Sequence, residues 1–179
     1  THDGQGFFYA RFDEPNESTR LEDTNYFQKL YYHRIGTPQS ADVLIYDRPD
    51  QKEWMFGTTV TEDGRYLLIF VSQSTDRKNL VFYKDLTLPN SEIIELISEF
   101  VASFDLIDSE GTTFWFQTDY EASRGRVVAI DIAQGNDWRS NLQSVIPEAE
   151  ETLEGVSLFG DQFLATYLKD ARTEVKLFA

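Results

Sequence analysis

Cysteine is absent from all 179 residues. That excludes disulfide staples and thiolate metal centres. It suits a reducing compartment, so a cytoplasmic setting is the expectation. Long apolar runs are missing too. The longest, residues 67–71, falls far short of the roughly 18 needed for a membrane-spanning helix, so no membrane is expected as a partner. No leader segment is visible at the N-terminus. Basic residues are scarce: 16 Lys and Arg stand against 31 Asp and Glu, giving −15 at pH 7. A field of that sign repels phosphates and argues against nucleic acid, and the acidic side chains read as solvated surface. Histidine occurs twice, as His2 and His33, and methionine once, as Met55. There is no G-x-S-x-G nucleophile elbow and no D-x-D-x-D-G calcium loop. The chain is therefore expected to carry no catalytic residue, no metal site and no cofactor.

What the chain has is aromatic residues, 15% of it, as 14 Phe, 9 Tyr and 3 Trp. They favour strands over helices. They recur in a pattern of about 48 residues: an acidic-Gly turn, an aromatic-rich strand, then a second strand. The copies centre on Gly4, Gly64, Gly111 and Gly160, with 47 residues from Gly64 to Gly111 and 49 from Gly111 to Gly160. Repeats of 40–50 residues rich in short strands mark β-propeller blades. One blade cannot bury its own faces and must stack on neighbours.

Each repeat divides into as many as four strands. First strands are expected at 54–61, 100–108 and 152–159, and second strands follow each Gly turn. Third strands fall at 29–36, 79–86, 126–132 and 173–179, and fourth strands at 42–48, 92–97 and 142–146. Residues 67–71 are apolar throughout, as befits a strand buried on both faces. Residues 91–100 have helix-like spacing, but the repeat places a fourth strand there. The longer first repeat carries its surplus at 13–25, a polar stretch read as an exposed loop. The fold expected is all-β: propeller blades of four-stranded antiparallel sheets. A partial blade is assigned to 1–50, blades to 51–98 and 99–148, and a partial blade to 149–179. About 14 strands result. The chain reads as a portion of a larger propeller, with cut faces that invite homo-oligomers.

The segment 28–44, with its His33-Arg34-Ile35-Gly36-Thr37 core, resembles the propeller of prolyl oligopeptidases. So do Trp54-Met55, residues 61–68, residues 79–86 and the stretch 145–148. The resemblance covers nearly the whole chain and implies about half of a seven-bladed propeller. It also implies an α/β-hydrolase catalytic domain as partner within a longer polypeptide. That domain would cleave short peptides after proline with a serine triad, and the propeller would filter what enters. An autonomous protein-binding propeller and an oligopeptidase B-like parent are the alternatives. The resemblance further implies two substrate-binding positions, Met55 and Thr75, which would help line the pocket for the peptide's third residue on the N-terminal side of the cleaved bond. Thr75 stands where relatives often carry cysteine, and Met55 reads equally well as a filler of core gaps. His33, beside two tyrosines on a strand, reads as a packing or hydrogen-bonding residue, and Glu150-Glu151 as solvated.

Overall fold

The computed structural model describes residues 1–13, 25–135 and 137–179. The loop expected at 13–25 lies, apart from its two ends, outside the described residues. Fourteen strands form among them: β1 (Gly6–Arg11), β2 (Lys29–Arg34), β3 (Val43–Tyr46), β4 (Trp54–Val60), β5 (Tyr66–Gln73), β6 (Asn79–Asp85), β7 (Ile94–Ile97), β8 (Phe104–Glu110), β9 (Thr113–Thr118), β10 (Arg126–Asp131), β11 (Leu142–Ile146), β12 (Thr152–Phe159), β13 (Gln162–Lys169) and β14 (Arg172–Phe178). They make four separate sheets, β1–β3, β4–β7, β8–β11 and β12–β14, with neighbours in chain order. Short connections between such neighbours make the pairing antiparallel.

The four recurring glycines all adopt positive φ: Gly4 at 66°, Gly64 at 74°, Gly111 at 59° and Gly160 at 60°. Any other residue would be strained there, which is why the turn is the fixed point of the repeat. At Gly64 the turn is reinforced. Thr61 Oγ1 donates to Asp63 Oδ1 at 2.5 Å and accepts from the Tyr66 N–H at 2.9 Å.

The chain divides into two compact units. One comprises residues 1–76 with 80–94, the other 77–79 with 95–179. In the first unit, Leu67, Leu68, Ile69 and Val71 of β5 are wholly buried, so both faces of that strand are covered. Tyr46 packs edge-on against Phe56 and Phe82, at 5.5 and 5.9 Å. Gln28 Oε1 accepts from the Phe56 N–H at 2.6 Å. In the second unit, Val127, Ile146, Leu153, Phe163, Ala165 and Tyr167 form one buried cluster. Phe104 meets Phe116 and Trp138 edge-on, at 6.1 and 5.4 Å.

Three local features depart from the sequence reading. Strand β8 starts at Phe104 rather than residue 100. The Asn79 side chain captures both backbone groups of Phe104, donating to its C=O at 3.0 Å and accepting from its N–H at 2.7 Å. A single helical turn, α1 (Trp138–Asn141), precedes β11. Asp137 caps it, accepting from the Arg139 N–H at 3.2 Å and the Ser140 hydroxyl at 2.5 Å. Four residues are too few for periodicity to reveal. Finally, Glu151 is not simply solvated. It is bridged by Lys169 at 2.8 Å and Lys176 at 3.3 Å, with only 14% of its side chain exposed.

Candidate functional site

Met55 and Thr75 come from one end of one sheet. Trp54 opens β4 opposite Gln73, which closes β5, and Met55 faces Ser72. The chain then turns through Ser74, held at φ 54°, and Thr75 follows, exposed. The alternation of β4 buries Trp54 and Phe56 and leaves Met55 between them with 37% of its surface open. Arg48 lies over the Trp54 ring at 4.6 Å, and Gln73 donates to Glu53 at 3.2 Å. The result is a soft apolar side chain at a sheet end whose immediate neighbours are fixed by packing and hydrogen bonds.

His33 is held quite differently. Its Nδ1 lies 2.7 Å from Asp42 Oδ1. The other carboxylate oxygen accepts from the Tyr9 hydroxyl at 2.5 Å, which in turn accepts from Gln39 Nε2 at 3.2 Å. The Asp42 side chain has no exposed surface and that of His33 has 19%. Phe7 covers the imidazole, ring centres 5.1 Å apart. The Tyr9 hydrogen bond, seconded by His33, holds the Asp42 carboxyl below the usual range. Burial, and then the bond to Asp42, push the Tyr9 phenol up. A nucleophilic triad needs a hydroxyl on the imidazole and an acid behind it. Here the hydroxyl is Tyr9's and it sits on the acid. The arrangement cross-links β1, β2 and the start of β3 (Val43–Tyr46). Its two partners, 24 residues upstream and nine downstream of His33, were not legible as such; the acid that opens the expected fourth strand at 42–48 was the only signal.

Among the described residues no group of three or more His, Cys, Asp or Glu is placed to hold a metal ion. None of the described helices is long and apolar enough to cross a membrane.

The chain was compared with known proteins. The sequence model of the family described as "Prolyl oligopeptidase, N-terminal beta-propeller domain" matches residues 1–179. Prolyl oligopeptidase A of Galerina marginata is 31% identical over 189 aligned positions, which take in the whole chain and 25% of that protein. Prolyl endopeptidase of Elizabethkingia meningoseptica is 34% identical over 97% of the chain and 24% of its own length. A solved chain from a structural study of two prolyl endopeptidases superposes with a TM-score of 0.84 at 32% identity, over 97% of this chain and 24% of that one. Unliganded prolyl oligopeptidase B of Galerina marginata superposes with a TM-score of 0.85 at 25% identity, over the whole chain and 24% of that protein. The chain thus spans about a quarter of these relatives. With its four antiparallel sheets and a match along its whole length, it belongs to the N-terminal β-propeller domain family of the prolyl oligopeptidases.

Proposed function

We propose that this chain is a non-catalytic gating and filtering portion of the propeller of a serine peptidase that cleaves short peptides after proline. The observation that carries the reading is the family match along all 179 residues, joined to a sequence with no nucleophile elbow. Its lone inner histidine is committed to a carboxylate on its Nδ1 side. Positioned nucleophile–base pairs are what make a hydroxyl reactive. In this proposal the chemistry belongs to an α/β-hydrolase domain elsewhere in the polypeptide, and the chain forms about half of a seven-bladed ring. Relatives named as peptidases support the substrate class. A cytoplasmic setting belongs to the same proposal and rests on the cysteine-free composition.

Within that reading, Met55 and Thr75 contact the peptide, Met55 by lining an apolar pocket. Its open thioether on a fixed sheet end supports this, because a flexible polarisable side chain accommodates varied apolar groups.

Two assays test the proposal. The 179-residue chain alone, repurified, should not release chromophore from a proline-amide peptide. The longer polypeptide should cleave a free octapeptide but spare the same sequence inside a folded host protein. Turnover by the isolated chain that survives repurification would overturn the non-catalytic reading. Equal cleavage of free and folded substrates would overturn filtering.

A further inference from the structure

An Asp or Asn side chain can close onto the backbone nitrogen of the next residue, forming a five-membered succinimide. The reaction needs a side chain that is exposed and unheld, and a small residue after it. Residue order alone ranks the Asp-Gly pairs first, Asp3-Gly4 and Asp63-Gly64, because glycine leaves the attacking nitrogen uncrowded. Asn90-Ser91 ranks behind them.

The fold reverses that order. Asp63 Oδ1 accepts from Thr61 Oγ1 at 2.5 Å and from the Arg65 N–H at 3.0 Å. The Gly64 N–H, the group that would attack, donates to the Thr61 carbonyl at 2.8 Å. Asp3 Oδ1 accepts from Thr1 Oγ1 at 2.6 Å and from the Gln5 N–H at 3.0 Å. These bonds, the threonine hydroxyls above all, hold both carboxyls below the usual range. An ionised carboxylate is a poor electrophile.

Other asparagines are closed off too. Asn79 is buried and bridges both backbone groups of Phe104. Asn141 is buried and donates to the Gly135 carbonyl at 2.8 Å. Asn25 is exposed but precedes the bulky Tyr26, whose ring meets Phe27 edge-on and lies under the Lys52 ammonium.

Asn90 differs from all of these. It is exposed, at φ 61°, in the turn between β6 and β7. Among the described residues its side-chain amide has no hydrogen bond. Its follower, Ser91, is small. One bond guards the attacking nitrogen: the Ser91 N–H donates to the Leu88 carbonyl at 3.2 Å, the long end of the range. A turn outside any ladder opens locally far more readily than a strand.

We propose that Asn90 is a self-modification site of this chain. The Ser91 backbone nitrogen attacks Asn90 Cγ, so the N–Cγ bond forms and the Cγ–Nδ2 bond breaks. Nδ2 leaves as ammonia, carrying the proton lost from the Ser91 N–H. Water then opens the ring at either carbonyl. One opening gives aspartate; the other gives isoaspartate, with the main chain rerouted through the side chain. In sum one water is consumed and one ammonia released. The isoaspartyl product acts on the fold through Ser91, whose hydroxyl donates to the Asp85 carbonyl and whose own carbonyl accepts from Lys84 Nζ. One added main-chain carbon shifts both contacts.

The test incubates the folded chain in mildly alkaline buffer until mass is gained, then digests it with trypsin. Asn25, Asn79, Asn90 and Asn141 fall in separate fragments, 21–29, 79–84, 85–124 and 140–169. Fragment 85–124 should gain the mass of an amide-to-acid change first, at least about 10-fold ahead of 79–84 and 140–169, whose amides must first break hydrogen bonds. Enzymatic methylation of isoaspartyl groups should label 85–124 ahead of 53–65, the fragment that holds Asp63. In urea, where the holding bonds are gone, 53–65 should overtake and 79–84 should narrow its lag. Asn90→Gly suits a left-handed turn; it should keep the fold and abolish the gain in 85–124. A first gain in any of the other three fragments, stronger labelling of 53–65 in the folded chain, or a gain in 85–124 confined to urea overturns the site. No peptide substrate enters this experiment, so its outcome is separate from that of the peptidase assays.

Discussion

Replacing Met55 by alanine in the longer, catalytically competent polypeptide tests the substrate-pocket role most directly. Burying a whole methionine side chain yields about 1.5–3 kcal/mol. In this chain 37% of Met55 remains open, so a peptide can claim only about a third of that, roughly 0.5–1 kcal/mol. The corresponding loss is about 2- to 5-fold in kcat/KM. It should appear in KM, because the contact is made equally before and during the chemical step. The assay compares two peptides that differ only at the third residue on the N-terminal side of the cleaved bond, one with an apolar side chain and one with glycine. The variant should lose its factor on the first and be indifferent to the second. Met55→Leu should recover most of the loss. A half-open position is not a keystone of the core, so the variant's unfolding midpoint should barely move. Equal losses on both peptides, or a loss confined to kcat, would refute the reasoning.

Three further outcomes concern the scaffold. Lys169, with Lys176 in support, holds Glu151 down to about 2 from an ordinary 4.5; its stabilisation is therefore present above about 4.5 and lost as pH falls towards 2. The gap in unfolding midpoint between the native chain and Glu151→Gln, wide at pH 7, should close over that window; a gap independent of pH would contradict the ion pairs. Gly111→Ala meets no atom within 4 Å and should cost only about 1–2 kcal/mol for its positive φ, whereas Gly125→Ala, at φ +85° with its new carbon 3.1 Å from Leu153 Cβ, should cost distinctly more in urea unfolding. The open face of β12–β14 carries Phe159, Leu168, Val175 and Leu177, each 43–67% exposed; light scattering should find the chain heavier than 20.7 kDa at high concentration and Leu177→Lys closer to it, and a clean monomer throughout would argue against self-association.

The repeat was legible because its anchor is conformational. Only glycine is comfortable at the turn, so Gly4, Gly64, Gly111 and Gly160 mark the same structural position through otherwise dissimilar sequence. Strand existence followed from that frame: β12 (Thr152–Phe159) and β11 (Leu142–Ile146) lie where the spacing put them. Strand ends did not follow, because side chains from elsewhere set them. At the start of β8, Asn79 holds both backbone groups of Phe104, and residues 25 apart carry no local pattern. Bulges were equally hidden. Register slips between Leu106 and Asp108 and between Leu153 and Gly155 leave the apolar alternation ambiguous by one residue.

The same distinction explains why one candidate site was visible and the other was not. Met55 stands out because the resemblance to the prolyl oligopeptidase propellers implies a substrate-lining methionine just after the Trp, and this chain has its single methionine there. Asp42 does not, being one of 31 acids in a chain whose charge reads as solvated surface. Its property is relational: His33, nine residues away, and Tyr9, 33 residues away, converge on its two oxygens, and its side chain has no exposed surface. Taking a carboxylate out of water is costly unless its oxygens are hydrogen-bonded, and these two contacts offset that cost. Sequence reports how many charges a chain has; only the fold reports which of them is enclosed and held.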